Sequence, residues 1–108
     1  MNREKFINGL NSDVNFTDNE RLEIMDRSIQ EQGMILKCII SIEEFAELQQ
    51  AISKMIRYGE EEDRISLLEE MADAYLCLDN LKRIFGITDD EIWKAIDVKL
   101  LREKERLG

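Results

Sequence analysis

Apolar residues recur every three to four positions along most of the chain, the spacing of one face of an α-helix. In the stretch before Gly59, the apolar residues Ile40, Leu48, Ala51 and Met55 lie within about 40° of Glu44 around the helix, at about 100° per residue. In the stretch after it, the corresponding residues are Ala74, Cys77, Leu81 and Ile84. The periodicity predicts four helices, from about Asp18 to Gln32, Met34 to Tyr58, Glu62 to Phe85 and Asp89 to Arg106.

Local signals agree with these boundaries. Gly59 and Gly86 each follow a long periodic run, as expected of a left-handed residue just beyond a helix C-terminus. Two capping boxes are expected at helix N-termini, one at Thr17 with Glu20 and one at Thr88 with Glu91. Residues 1–16 are polar and mixed, so we expect an irregular N-terminal arm with at most one short turn near Phe6 to Leu10.

The predicted fold is all-α, a single domain over residues 1–108. Short connections favour antiparallel neighbours, so we expect a bundle of about four helices that oligomerises through helix packing. Hydrophobic residues make up 44% of the chain but aromatics only 6%, and proline is absent. A core of Leu, Ile, Met and Ala suits helix-on-helix packing better than a sheet.

The charge balance excludes several partners. A net charge of −9 argues against binding to nucleic acid or to an anionic membrane surface, since both need clustered Lys and Arg. No apolar run is long enough to span a bilayer, and no N-terminal apolar segment resembles a signal peptide. Cys38 and Cys77 lie far apart without a C-x-x-C pair, so we expect buried, reduced thiols and a cytoplasmic protein.

A short acidic motif occurs twice, 26 residues apart, at residues 43–47 and 69–73. Each copy places two acids three residues apart, so both lie on one side of a helix, and this is also the apolar side. The acids concerned are Glu44, Glu47, Glu70 and Asp73. Four buried carboxylates would repel one another without a cation among them. Mg²⁺, a hard cation with oxygen ligands, is the expected candidate.

The two acid pairs are predicted to meet across a helical hairpin. Glu44 lies 15 residues before Gly59 and Glu70 lies 11 after it, a mismatch of about one turn that the connection can absorb. Carboxylate-bound Mg²⁺ is typical of sites that cleave phosphoanhydrides. An anionic substrate also needs basic residues at the mouth of the site, and the candidates are Lys54, Arg57, Lys94, Lys99 and Arg102. The alternative is that these are surface residues that pair with the many acids.

Histidine is absent, which excludes several kinds of site. A ferritin-like di-iron centre needs Glu-x-x-His, and Ser-His-Asp or Cys-His nucleophile systems need an imidazole base. The G-x-x-x-x-G-K-[ST] motif of P-loop enzymes is also missing.

The acids resemble the signature of a known superfamily. Glu43, Glu44 and Glu47, followed after 22 residues by Glu70 and Asp73, match the pattern E-E-x-x-E and E-x-x-D. This pattern is typical of the all-α nucleoside triphosphate pyrophosphohydrolases, which include the MazG-like proteins, the dimeric dUTPases and the phosphoribosyl-ATP pyrophosphohydrolases. The wider resemblance to small MazG-like proteins covers roughly residues 29–106.

The resemblance implies a function and roles for individual residues. Such enzymes cleave nucleoside triphosphates between the α- and β-phosphates with Mg²⁺, for which Mn²⁺ can substitute. The metal ligands would be Glu44, Glu47, Glu70 and Asp73. Glu43 and Glu69 would be the catalytic candidates, either as groups that support the metal ligands or as groups that help to orient the attacking water. Lys99 and Arg102 match a basic pair that contacts phosphates, and Lys54 is a further candidate.

The resemblance also implies a homodimer or homotetramer. Two alternative functions remain open, a non-catalytic helical bundle that binds a partner protein and a sensor that binds nucleotide without turnover.

Overall fold

The computed structural model describes all 108 residues and contains five helices and no strand, which confirms the all-α prediction. The helices are α1 (Arg3–Leu10), α2 (Asp18–Gln32), α3 (Met34–Arg57), α4 (Glu61–Phe85) and α5 (Asp89–Leu107). The four predicted helices correspond to α2 to α5, with no end displaced by more than one residue. None of the five combines the length and the apolar character that crossing a membrane would require.

The predicted boundary signals are present. In α2 the Thr17 hydroxyl accepts a hydrogen bond from the Glu20 amide at 3.2 Å, and the Glu20 carboxylate accepts one from the Thr17 amide at 2.9 Å. Thr88 and Glu91 form the same reciprocal pair at the start of α5. Gly86 ends α4 in the left-handed conformation, with φ 66° and ψ 30°, where a side chain would be strained.

The N-terminal segment differs from the prediction. The sequence predicts an irregular arm over residues 1–16 with at most one short turn, but Arg3–Leu10 forms a two-turn helix. The Asn2 side chain caps it by accepting a hydrogen bond from the Lys5 amide at 2.8 Å. A helix of eight residues is too short for its periodicity to stand out, and an ion pair between Arg3 and α4 also helps to hold it.

Helices α3 and α4 form the central hairpin of the molecule. The four buried residues of the chain all lie on these two helices, and they are Ser41, Ala51, Ala74 and Cys77. Small side chains at the contact allow the two helix backbones to approach closely. The Ser41 hydroxyl donates to the Lys37 carbonyl at 2.9 Å, so its polar atom is satisfied. The prediction of buried thiols is confirmed for Cys77, whereas Cys38 is only half-buried.

Polar contacts attach the other helices to this hairpin. Arg83 on α4 pairs with Asp26 on α2, and Lys37 on α3 donates to the Ser28 hydroxyl of α2 at 2.6 Å. Lys82 pairs with Asp89 at the start of α5. Beyond this pair, α5 does not pack along α3 or α4, and it contributes no buried residue.

A single chain leaves much apolar surface exposed. Its accessible surface is 8895 Å², whereas a compact monomer of 12.7 kDa is expected to expose about 6,200 Å². Its radius of gyration is 16.5 Å, against about 13 Å for a compact chain of this length. Part of the excess is the outer face of α3, where Ile35 is 79% and Ile42 is 70% exposed. This second apolar face is not among the features predicted from the sequence.

Candidate metal centre

The antiparallel hairpin brings the two acid pairs into register. Glu44 lies next to Asp73 across the helix interface, and Glu47 lies next to Glu70. Counted from Gly59, Glu44 is 15 residues before and Asp73 14 after, while Glu47 is 12 before and Glu70 11 after. The expected mismatch of about one turn was counted between Glu44 and Glu70. It disappears because Glu44 faces Asp73 and Glu47 faces Glu70.

Three of the four predicted ligands converge closely. One carboxylate oxygen from each of Glu44, Glu47 and Glu70 lies within 4.8 Å of the other two. Oε2 of Glu44 and Oε2 of Glu70 are shielded from solvent and accept no hydrogen bond. Buried carboxylate oxygens without a donor are costly, so a positive group among them would stabilise the arrangement.

The charge state of these acids reflects the crowding. Burial raises the pKa of Glu44 from 4.5 to about 7, and the neighbouring charges of Asp73, Glu47 and Glu70 contribute in the same direction. Burial also raises the pKa of Glu70, with Glu47 and Asp73 as the next causes. Without a cation, the cluster therefore favours retaining a proton near neutral pH.

A pocket of about 260 Å³ adjoins the carboxylates. Its walls include Glu47 and Lys54 of α3, Glu70 of α4 and Arg3 of α1. Arg3 also pairs with Glu69, Nη2 to Oε1, at 3.0 Å. The predicted cation Lys54 is thus placed beside the acids, and a second cation comes from the helix that the sequence analysis did not predict.

The other predicted site residues lie apart from the cluster. Glu43 is exposed and takes part in no ion pair. Glu69 is directed to Arg3 rather than into the group of three glutamates. Lys99 and Arg102 are exposed on α5 and pair with none of the four carboxylates within this chain. The catalytic or phosphate-binding roles suggested for these residues stay predictions.

Sequence reasoning missed Arg3. A local signal was available, since a cation at the start of a helix opposes the helix dipole and is not expected there for stability alone. The partner that explains its position, Glu69, is 66 residues away in the chain, and only the tertiary structure brings them together.

The chemistry of the candidate donor atoms limits which metals they could hold. All the candidate ligand atoms are carboxylate oxygens, which suit Mg²⁺, Mn²⁺ or Ca²⁺ rather than a soft metal. Comparison of the chain with protein-family models, with curated proteins and with solved structures found no match.

Proposed function

We propose that the protein is a Mg²⁺-dependent nucleoside triphosphate pyrophosphohydrolase of the MazG-like kind. It would cleave its substrate between the α- and β-phosphates to release a monophosphate and pyrophosphate. The observation that carries the proposal is the convergence of Glu44, Glu47 and Glu70 from two helices, with two shielded oxygens that lack a donor. The motif resemblance supplies the reaction type, and the geometry supports the part played by a metal.

In this proposal Glu44, Glu47, Glu70 and Asp73 hold Mg²⁺, or Mn²⁺ in its place. Bound there, the metal would activate water and neutralise phosphate charge. The chain's own residues hold the carboxylates in place on two rigid helices. The pocket beside them admits the phosphate chain, and Lys54 offers it a cation. Glu43 and Glu69 are proposed to orient the attacking water.

A nucleotide panel tests the reaction. Each common ribonucleoside and deoxyribonucleoside triphosphate is incubated with the protein and Mg²⁺, and the products are identified by ³¹P NMR. We expect nucleoside monophosphate and pyrophosphate in equal amounts. Glu47→Gln and Asp73→Asn should each reduce kcat at least 100-fold, because they remove ligand charge with little change in shape.

The matched control is Glu62→Gln. Glu62 is an exposed acid on α4, and it lies two turns before Glu70 and outside the cluster. Its variant should keep wild-type turnover. Orthophosphate as the only phosphate product, or full activity in both ligand variants, would contradict the proposal. Metal-dependent nucleotide binding without any product would instead favour the sensor.

We also propose that the chain works as a homodimer or homotetramer. The excess surface of about 2,700 Å² per chain would amount to about 5,400 Å² for two chains, at the upper end of the range that obligate oligomers bury. The exposed apolar face of α3 and the unpacked helix α5 both need partners. Packing of α5 against a second copy could also bring Lys99 and Arg102 to that copy's site.

Sedimentation velocity tests the assembly. We expect a mass of two or four chains at micromolar concentration. Ile35→Glu and Ile42→Glu, on the exposed face of α3, should shift the protein toward smaller species. A monomer at all concentrations would contradict this part of the proposal and favour a surface that receives a different partner.

A further inference from the structure

Arg3 is the one arginine in the wall of the pocket beside the carboxylate cluster. The pocket has only two cationic side chains, Arg3 and Lys54, which approach it from different helices. Arg3 is 40% exposed, whereas its partner Glu69 is 14% exposed. A fixed, largely buried acid therefore holds a guanidinium that still reaches solvent at the pocket wall.

The ion pair leaves most of the guanidinium free. One nitrogen, Nη2, contacts Glu69, and Arg3 makes no other ion pair or side-chain hydrogen bond. Guanidinium carries five N–H donors in a planar fork, so Arg3 can keep Glu69 and still donate to a second group. Phosphate oxygens, like carboxylate oxygens, match the geometry of this fork.

Helix stability explains the position of Arg3 only in part. It is the first residue of α1, where the helix dipole disfavours a positive charge. The ion pair with Glu69 is partly exposed, and such pairs contribute at most about 1 kcal/mol. A residue that breaks a local preference near a candidate site is more readily explained by binding.

The size of the pocket indicates what binds there. Sites for whole small molecules are usually about 300–1,000 Å³, and this one is about 260 Å³. It would accept a chain of phosphates more readily than a complete nucleotide. A polyanion can enter beside Glu47 and Glu70 only if cations offset their charge, and Arg3 and Lys54 face the same space.

We propose that Arg3 is a substrate-binding residue that donates to the triphosphate of a nucleotide bound at the carboxylate cluster, and that Glu69 is the positioning residue that holds its guanidinium. This inference rests on the proposed function, since it concerns the same site. It adds α1 to the parts of the chain that form the site, and it gives Glu69 a second role in addition to the proposed orientation of water.

The test compares Arg3→Gln, Arg3→Ala and Arg3→Lys with Lys5→Gln, a matched control that removes an exposed cation from the same helix. Binding of an α,β-methylene nucleoside triphosphate with Mg²⁺ is measured by calorimetry, and kcat and KM are measured with the hydrolysable nucleotide. The rise in melting temperature with Mn²⁺ alone reports whether the metal site is intact.

We expect Arg3→Gln and Arg3→Ala to weaken analogue binding and raise KM at least tenfold, with a smaller effect on kcat. Arg3→Lys should recover part of the loss, and Lys5→Gln should stay within twofold of wild type. The Mn²⁺-dependent melting shift should be unchanged in every variant. If Arg3→Ala does not fold, Arg3→Gln, which keeps a long polar side chain, provides the same comparison.

Two results would overturn the inference alone. In the first, the wild-type protein is active, and the analogue affinity and the KM of Arg3→Gln are both within twofold of the wild-type values. The other is a loss of the Mn²⁺ shift together with nucleotide binding, which would mean that Arg3 acts only by anchoring α1. Wild-type protein that binds no nucleotide with Mg²⁺ would overturn the proposed function as well.

Discussion

The raised pKa of Glu44 predicts an unusual pH dependence for the metal-free protein. The folded chain holds this carboxyl at a pKa of about 7, and the ordinary value in the unfolded chain is 4.5. An acid whose pKa is raised by folding stabilises the native state below its unfolded pKa. That contribution is lost as the pH rises through the folded pKa. Stability without metal should therefore fall between about pH 4.5 and pH 7, and Glu70 shifts in the same direction.

The structure bounds the size of this effect. A difference of about 2.5 between the two pKa values corresponds to at most about 3.5 kcal/mol, at about 1.4 kcal/mol per pKa unit. Because the Glu44 side chain keeps part of its surface in water, we expect about 1–2 kcal/mol. Saturating Mg²⁺ should flatten or reverse the slope, since a cation stabilises the ionised carboxylates.

The assay is urea unfolding in EDTA at pH 5, 6, 7 and 8, at one fixed protein concentration. Glu44→Gln keeps the shape of the protonated acid and should lose most of the slope, whereas Glu62→Gln should keep it. The reasoning is refuted if the free energy of unfolding is constant or rises between pH 5 and pH 7 in EDTA. It is also refuted if Glu44→Gln retains the wild-type slope.

Three further outcomes are expected. Mn²⁺ at 100 times its Kd should stabilise the native state by about 2.7 kcal/mol and raise the melting temperature by about 10 °C, and Glu47→Gln or Asp73→Asn should abolish the shift. Ala51→Leu should lower the free energy of unfolding in urea by about 1–3 kcal/mol, because Ala51 is only 5% exposed between α3 and α4. Ala46→Leu, at an exposed position of α3, should leave the free energy of unfolding nearly unchanged. Thr88→Ala should lower the free energy of unfolding by about 1 kcal/mol, because it removes the hydroxyl that caps α5. An unchanged melting curve would contradict this.

Most of the helical architecture could be predicted because its boundaries are encoded locally. Capping boxes at Thr17 and Thr88 and the glycines at 59 and 86 act within a few residues, so they are readable without tertiary structure. Helix α1 could not be predicted in the same way. Two turns carry little periodicity, and its ion pair with Glu69 joins residues distant in the chain.

The candidate site was predictable for a related reason. Acids at helical spacing on the apolar side are visible in the sequence, and counting from Gly59 places the pairs at nearly one height. The diagonal pairing of Glu44 with Asp73 and Glu47 with Glu70 needed the actual antiparallel register. Helix α5 does not pack along α3 or α4, so the direction that it takes, and with it the position of Lys99, is not encoded in the hydrophobic pattern of those helices.

The three-residue connection from Tyr58 to Glu60 has a consequence for how this chain can vary. Surface loops usually accept insertions at small cost. Here a single added residue in the helical end of either arm would turn the following side chains by about 100° and carry one acid pair away from the other. The lengths of the two helix ends beside this connection therefore decide whether the acid pairs face each other. Length changes are better tolerated between α1 and α2, outside the hairpin.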